Sequence, residues 1–379
     1  MKNRNHIVFA MTGAERVPGG IAALNLNVIP ALDRLAVQKD RVLQVFSLLE
    51  ADADRPSTLP DHAEFRGFAG SKKDFGLALQ KAALHASLVT FDHVALALPL
   101  LPLALARAVT TTIFAHGSEA WRKPHRTSRW SLRAAKLCLA NSAYTLRRLH
   151  ENLRGINGAV CDLGLSPRFA LHDAVPGPPE RPITLRAVDG REREIGEKSL
   201  LLVGRIDPDE RGKGHFALVK ALPRLREKHP GVQCVFAGPG EGRESVAYTA
   251  ARLGVDDAVF MPGFVDVDVL QHLYRRCYAY TMPSRQEGFG LVYLEAMNYG
   301  KPCLGCYDDG AEAIIVDGET GILIPDPKST GELIHRLDAL LSDPDGAREM
   351  GRRGFERLHE RFTAEHVQQR ILNHLEPLI

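Results

Sequence analysis

The stretch Pro283–Met297, Pro-Ser-Arg-Gln-Glu-Gly-Phe-Gly-Leu-Val-Tyr-Leu-Glu-Ala-Met, constrains this chain more than any other. The run before it, Cys277–Met282, is short, apolar and aromatic and reads as a buried strand. After it, Leu291, Leu294, Ala296 and Met297 recur at helical spacing, so the loop between opens a helix. Gly288 and Gly290 let the backbone turn sharply and come close to a ligand with no Cβ in the way. The free amides of the first helical turn carry partial positive charge and favour an anion or polarised oxygens. Glu287 stands in the loop. Glu295 lies one turn beyond Leu291, and helical side chains lean towards the N-terminus, so its carboxylate can return to the same place.

Two carboxylates that only accept hydrogen bonds, set beside such amides, suit a ligand with many hydroxyls and a phosphate, as a nucleotide sugar has. The plainer alternative is a helix cap with two solvated glutamates, and a bare Glu-x7-Glu carries little information. Gly-Phe-Gly inside it, a strand before and Leu-Glu-Ala-Met after make the pattern specific. In this form the stretch resembles the E-x7-E signature of retaining glycosyltransferases of family 4. The resemblance implies an α/β chain of the GT-B fold, with two Rossmann-like, doubly wound parallel-sheet domains facing a cleft.

The chain has 379 residues, 45% of them hydrophobic and 25% charged, which suits two globular domains of ordinary size. The first apolar run, Ile7–Met11, is too short for a signal peptide. The longest, Val94–Ala106, is too short to cross a bilayer and contains Pro99 and Pro102. Six cysteines lack a disulfide rhythm, which points to a reducing cytoplasm. Cys303-x-x-Cys306 has no second pair, and a small apolar lining is the expectation rather than zinc or redox chemistry. Charge is uneven. Residues 1–160 hold 21 Lys and Arg against 12 Asp and Glu, a net +9, and the remainder carries −7.

In the amino-terminal half, Ile7–Thr12 reads as a buried strand, and Arg16-Val-Pro-Gly-Gly-Ile leads into Ala22, Ala23, Leu26 and Ile29 at helical spacing. Strand, diglycine and helix make a phosphate-type turn at Gly19 and Gly20, without the G-x-G-x-x-G of a dinucleotide fingerprint. Further strands are expected at 42–47, 88–91, 110–115, 137–140 and 158–161, with helices near 74–86, 128–136 and 142–151, an alternation that implies a parallel sheet. Phe114-Ala-His-Gly-Ser-Glu-Ala-Trp121 puts His116 at a strand tip, where a ligand contact and a satisfied buried histidine are equally good readings of placement alone. The run is similar to the His-Gly-x-Glu-x-Trp segment of family 4, whose His bonds the transferred sugar. There a Gly-Gly loop like Gly19–Gly20 faces the donor.

Between Glu119 and Glu151 the sequence has no acidic residue but holds Arg122, Lys123, Arg126, Arg129, Arg133, Lys136, Arg147 and Arg148. Earlier, Phe65, Phe68 and Phe75 are interleaved with Lys72, Lys73 and Lys81. A solvated basic face and an anionic membrane surface or phosphate-bearing lipid both fit. Nucleic acid is the weakest reading, because no binding motif accompanies the charge.

Residues 172–198 are polar and rich in proline and read as a linker or surface insertion. It separates an amino-terminal acceptor domain, 1–171, from a donor domain, 199–361, with a last helix, 362–379, expected to pack back on the first. Leu200–Val203 is a strand, followed by Gly204-Arg-Ile-Asp-Pro-Asp-Glu-Arg-Gly-Lys-Gly214 and an amphipathic helix. Arg205 and Lys213 flank this loop, where two cations suit a diphosphate, and Arg211 reads as a surface cation. The spacing is not that of a Walker A loop. The pattern resembles the family's Gly-Arg … Lys-Gly element, which binds donor phosphates. Strands at 233–237 and 258–261 end in glycine, and the second loop, Gly263-Phe264, is similar to the one that meets the nucleotide base. Tyr307-Asp-Asp-Gly-Ala-Glu312 resembles the family's Gly-Gly-x-x-Glu loop, with Asp309 in place of the first glycine. Asp308-Asp309, Asp266-x-Asp268 and Asp52-x-Asp54 read as caps and turns rather than metal ligands.

The resemblance implies transfer of a hexose from a UDP- or GDP-sugar, with retention, to a hydroxyl of a glycan or lipid-linked acceptor in cell-surface polysaccharide or glycolipid assembly. No cofactor and no essential metal are expected. The donor would lie on Glu287, Gly288, Phe289, Gly290 and Leu291, with Glu295 on the ribose and His116 orienting the sugar. Arg205 and Lys213 would stabilise the departing diphosphate. The protein would be cytoplasmic, peripheral on the inner face of the membrane. A nucleotide-sugar epimerase of the same fold and a non-catalytic sugar- or lipid-binding protein are the rivals.

Overall fold

Ile7 to Met11 are fully shielded from solvent, as a parallel strand covered by helices on both faces must be. In the computed structural model, which describes residues 5–17, 19–179, 181–208, 212–285 and 287–379, they belong to β1 (His6–Met11). The chain divides into two units. One comprises the residues to Phe169 together with Phe362–Ile379, and the other comprises Ala170–Arg361.

The first unit is built on seven parallel strands. After β1 come β2 (Val42–Ser47), β3 (Glu64–Gly67), β4 (Ala86–Phe91), β5 (Thr111–Ala115), β6 (Leu137–Ala140) and β7 (Gly158–Val160). Their order is β3-β2-β1-β4-β5-β6-β7, so the winding reverses between β1 and β4. Ile7 stands opposite Leu43 on one side and Leu88 on the other. Strand β3, Glu-Phe-Arg-Gly, was not expected, because a short edge strand with polar residues lacks an apolar signature. Phe68 and Phe75 turn out to be core residues in edge-to-face contact at 5.3 Å, so the interleaving with lysines is not an aromatic surface.

The 19-residue helix Gly20–Gln38 is long and apolar enough to be confused with a membrane span. Twelve of its residues are buried within this unit instead. The helix Ala364–Leu375 packs against it, and Lys39 pairs with Glu376 at 3.1 Å beyond its end.

The second unit has β10 (Ser199–Val203), β11 (Gln233–Ala237), β12 (Val259–Gly263), β13 (Ala279–Thr281), β14 (Cys303–Cys306) and β15 (Gly321–Ile324), all parallel, in the order β12-β11-β10-β13-β14-β15. Here the reversal falls between β10 and β13. Residues 172–198 group with this unit rather than standing apart from it. They contain an antiparallel pair, β8 (Thr184–Arg186) and β9 (Glu192–Glu194), beside which the Val188 amide donates to the Val259 carbonyl at 2.9 Å. The His172 amide is tied to Asn298 Oδ1 at 3.0 Å. Proline-rich composition hid this hairpin, whose strands are three residues long. All six cysteines are buried and unpaired, and burial pushes Cys138 and Cys161 up to about 12.

Candidate active site

In sheets of this kind ligands bind beyond the carboxyl ends of the strands where the order reverses. In the second unit that point lies between Val203 and Thr281. Gly214 begins the helix His215–Lys228 with φ +99°, and a Cβ there would lie 2.7 Å from the Pro283 carbonyl oxygen. Only glycine lets the loop after β10 touch the loop after β13. The contact places Lys213 Nζ 2.6 Å from Glu287 Oε2, with 29% and 19% of the two side chains exposed. Burial, the largest influence, pulls the lysine pKa down. The charge and hydrogen bond of Glu287, then Asp309 and Asp207, outweigh it and hold Lys213 above its ordinary value.

The loop after β14 adds Asp309. Its carboxyl is fully enclosed, and Oδ1 accepts from the Glu287 amide at 2.8 Å and the Gly310 amide at 2.6 Å. Burial and then Glu287 push this carboxyl well above the usual carboxylate range, against the two amides and Lys213. The sequence reading treated it as a turn residue. It does cap the short turn Gly310–Ala313, but it also organises Glu287.

Gly290, at φ +93°, opens the helix Leu291–Met297, which has only seven residues, so its macrodipole is small and the local amides matter more. Glu295 is buried in this helix and accepts from the Tyr274 hydroxyl at 2.8 Å. Tyr274, from the helix Val267–Arg276, is a partner that spacing did not reveal. Phe289 is buried. Arg205 is not joined to the Lys213–Glu287 pair. Its side chain is 74% exposed, and Nε donates to Asp207 Oδ1 at 3.0 Å. Arg211 lies outside the described residues. The Gly263 carbonyl accepts from Gly238 at 2.8 Å, joining the loops after β12 and β11, and Phe264 beside it is 76% exposed.

The first unit has its own polar cluster at the reversal between β1 and β4. Asp92 Oδ2 accepts from the Thr12 amide at 2.7 Å, the Thr12 hydroxyl at 2.6 Å and Asn25 Nδ2 at 2.8 Å. Glu50 accepts from the Ala14 amide at 3.0 Å and the Arg16 amide at 3.1 Å. Arg168 donates to the Ala14 and Val17 carbonyls at 3.0 and 2.8 Å. These three side chains, none of them singled out from sequence, shape the loop that reaches Gly19 (φ +116°) and Gly20. His116 Nε2 lies 2.7 Å from the Asp92 carbonyl oxygen, and the His116 amide donates to Glu119. Burial lowers the His116 pKa despite Glu119 and Asp92, so the ring is neutral at pH 7. On the helix Arg126–Ala134, Arg126, Arg129 and Arg133 are exposed with Trp130, itself 53% exposed. Asp266 caps the helix Val267–Arg276, accepting from Val269 at 2.8 Å, and Asp52 and Asp54 accept backbone amides.

Two all-parallel Rossmann-like sheets, each with a polar cluster at its reversal, define the GT-B α/β fold. The fold is shared with a sucrose-phosphate synthase from Thermosynechococcus elongatus (TM-score 0.72, 19% identity, 99% of each chain). It is shared too with Anabaena HepE, solved with UDP and glucose (TM-score 0.71, 17% identity, 98% of this chain and 99% of that one). Residues 190–357 match the family model for glycosyl transferases group 1. A glycogen synthase of Mycobacterium tuberculosis is 32% identical over 177 residues, 47% of this chain and 42% of that protein. A D-inositol 3-phosphate glycosyltransferase of Kribbella flavida is 32% identical over 234 residues, 59% of this chain and 52% of that protein. The chain thus spans about half the length of the curated relatives it matches.

Proposed function

We propose that this protein is a retaining hexosyltransferase that needs no metal and moves a hexose from a UDP- or GDP-sugar to a hydroxyl of a glycan or lipid-linked acceptor. The observation that carries the reading is the 2.6 Å Lys213–Glu287 pair at the reversal of the second sheet. An incoming diphosphate takes Lys213 from Glu287. Glu287 is then free to accept hydrogen bonds from sugar hydroxyls, and Glu295, oriented by Tyr274, from the ribose. As the bond from sugar to diphosphate breaks, its electron pair goes to the phosphate oxygen; the acceptor oxygen bonds the anomeric carbon, and its proton leaves with the diphosphate. Lys213, Arg205 and the amides near Gly290 stabilise that charge, more strongly once water has left. The neutral His116 ring, at the reversal of the first sheet, is a group able to hydrogen-bond a sugar hydroxyl. The family match over 190–357 and relatives named as glycosyltransferases support this reading, and HepE crystallised with UDP-glucose supports a nucleotide-sugar donor. The exposed basic helix supports a place on the cytoplasmic face of an anionic membrane, in cell-surface polysaccharide or glycolipid assembly.

The test is nucleotide release from UDP-, GDP- and ADP-sugars with and without glycan or lipid acceptors. Release that depends on acceptor supports transfer. Turnover of donor alone would make the protein an epimerase, and binding without product would make it a binding protein.

A further inference from the structure

We infer that Asp309 is a positioning residue of this site: through one carboxyl oxygen it sets the backbone of Glu287 and Gly310, and it does so as the uncharged acid, so that a diphosphate meets Lys213 with no second negative group behind it. The inference rests on the donor reading above and deepens it.

Oδ1, with its bonds of 2.8 and 2.6 Å to the Glu287 and Gly310 amides, would serve equally well in either protonation state. Oδ2 decides. It is enclosed and has no hydrogen-bond partner among the described residues. A buried charge with no donor to it would be strongly disfavoured, whereas the acid carries no charge to solvate and leaves only a neutral hydroxyl unpaired, a smaller cost. Among the described residues, the charged groups around it are Glu287 and Lys213, with Tyr293 and Cys306 also close enough to feel its charge. The one ammonium is already bonded to Glu287 at 2.6 Å, and Tyr293 gives its hydroxyl proton to the Met282 carbonyl at 2.8 Å. Two carboxyls therefore share one cation, and the one bonded to it keeps the charge. Burial and Glu287, which raise the Asp309 pKa, act in the same direction. When alkali ionises Asp309, the new charge repels the donor diphosphate, and donor KM rises more than kcat falls.

The experiment compares the full-length wild type, Asp309→Asn and Asp309→Ala. Asparagine keeps an oxygen acceptor for the two amides but cannot titrate, and alanine keeps neither. Donor KM and kcat are measured from about pH 6 to about pH 9, together with thermal midpoints in the absence of donor. Wherever Asp309 ionises within this range, the wild-type KM should climb by up to about tenfold per pH unit, while that of Asp309→Asn stays within about twofold. Asp309→Ala should turn over at least about tenfold more slowly than Asp309→Asn, because it loses the clamp on Glu287. Without donor, the wild type should lose stability relative to Asp309→Asn as pH rises, since the folded chain holds a proton that the unfolded chain has released. An identical pH dependence of the thermal midpoints for wild type and asparagine variant, or equal turnover of the alanine and asparagine variants, would overturn the inference. If the wild type turns over no nucleotide sugar, the proposed function fails, and the midpoints without donor still decide the protonation of Asp309.

Discussion

Lys213 and Glu287 meet at 2.6 Å although 74 residues separate them in the chain. In the proposed reaction, the short bond makes Lys213 a cation already aimed at the place where a leaving diphosphate gains charge. Lys213→Ala should lower kcat by about 10²–10³-fold, the equivalent of about 2.7–4 kcal/mol of transition-state stabilisation. A steady-state assay with the preferred donor checks this. Turnover within a few-fold of wild type would remove Lys213 from the mechanism.

Tyr274 and Glu295 form a second buried contact, at 2.8 Å, within the proposed donor site. Tyr274→Phe keeps the ring, stacked on Tyr299 at 5.7 Å, and removes only the hydroxyl. Losing a hydrogen bond to a charged group should cost about 1.5–3 kcal/mol of stability. Urea unfolding measures that cost. Donor KM should rise as Glu295 loses its orientation, and an unchanged KM would detach Glu295 from the ribose.

His215, buried edge-on against Phe236 at 5.0 Å, is held down to about 4 by burial and then by Lys213. A depressed histidine contributes stability that is complete above its ordinary value of 6.5 and is lost as pH falls towards 4. The wild type should therefore lose up to about 3 kcal/mol more than His215→Leu between about pH 7.5 and about pH 4.5. Denaturant midpoints at the two pH values read this difference. Equal losses would show that His215 titrates normally.

If the helix Arg126–Ala134 rests on an anionic bilayer, each exposed arginine should contribute about 1 kcal/mol. Reversing Arg126, Arg129 and Arg133 to Glu should weaken binding to vesicles containing phosphatidylserine by at least about a hundredfold, and added salt should do likewise. Co-sedimentation tests it. Equal pelleting of the wild type with neutral phosphatidylcholine vesicles would count against an electrostatic surface.

Where a local pattern decides the structure, the sequence was sufficient: Val42–Ser47, Leu137–Ala140 and Gln233–Ala237 are apolar runs of strand length and occur with the expected bounds. The E-x7-E stretch was readable because strand, glycine and helix signals lie within the 21 residues from Cys277 to Met297. What escaped depends on contacts remote in sequence. Asp92 reaches Thr12 across 80 residues, and nothing near Phe91 announces this. Asp309 looks like any aspartate in a turn until the loops after β13 and β14 enclose it. The orientation of Arg205 was not legible either, because spacing from a strand end does not report that its Nε donates to Asp207. The pair β8–β9 was lost because three-residue strands have no period to detect.

The helix Ala364–Leu375 buries Val367, Ile371, Leu372 and Leu375 within the first unit, and its Arg370 and His374 bond the Asp162 and Val160 carbonyls. A ribosome therefore delivers everything needed by the second unit before it delivers the last piece of the first. Until then the nascent amino-terminal sheet keeps an oily flank of Gly20–Gln38 bare, and it must wait, shielded or at risk of clumping, while a complete neighbour folds behind it.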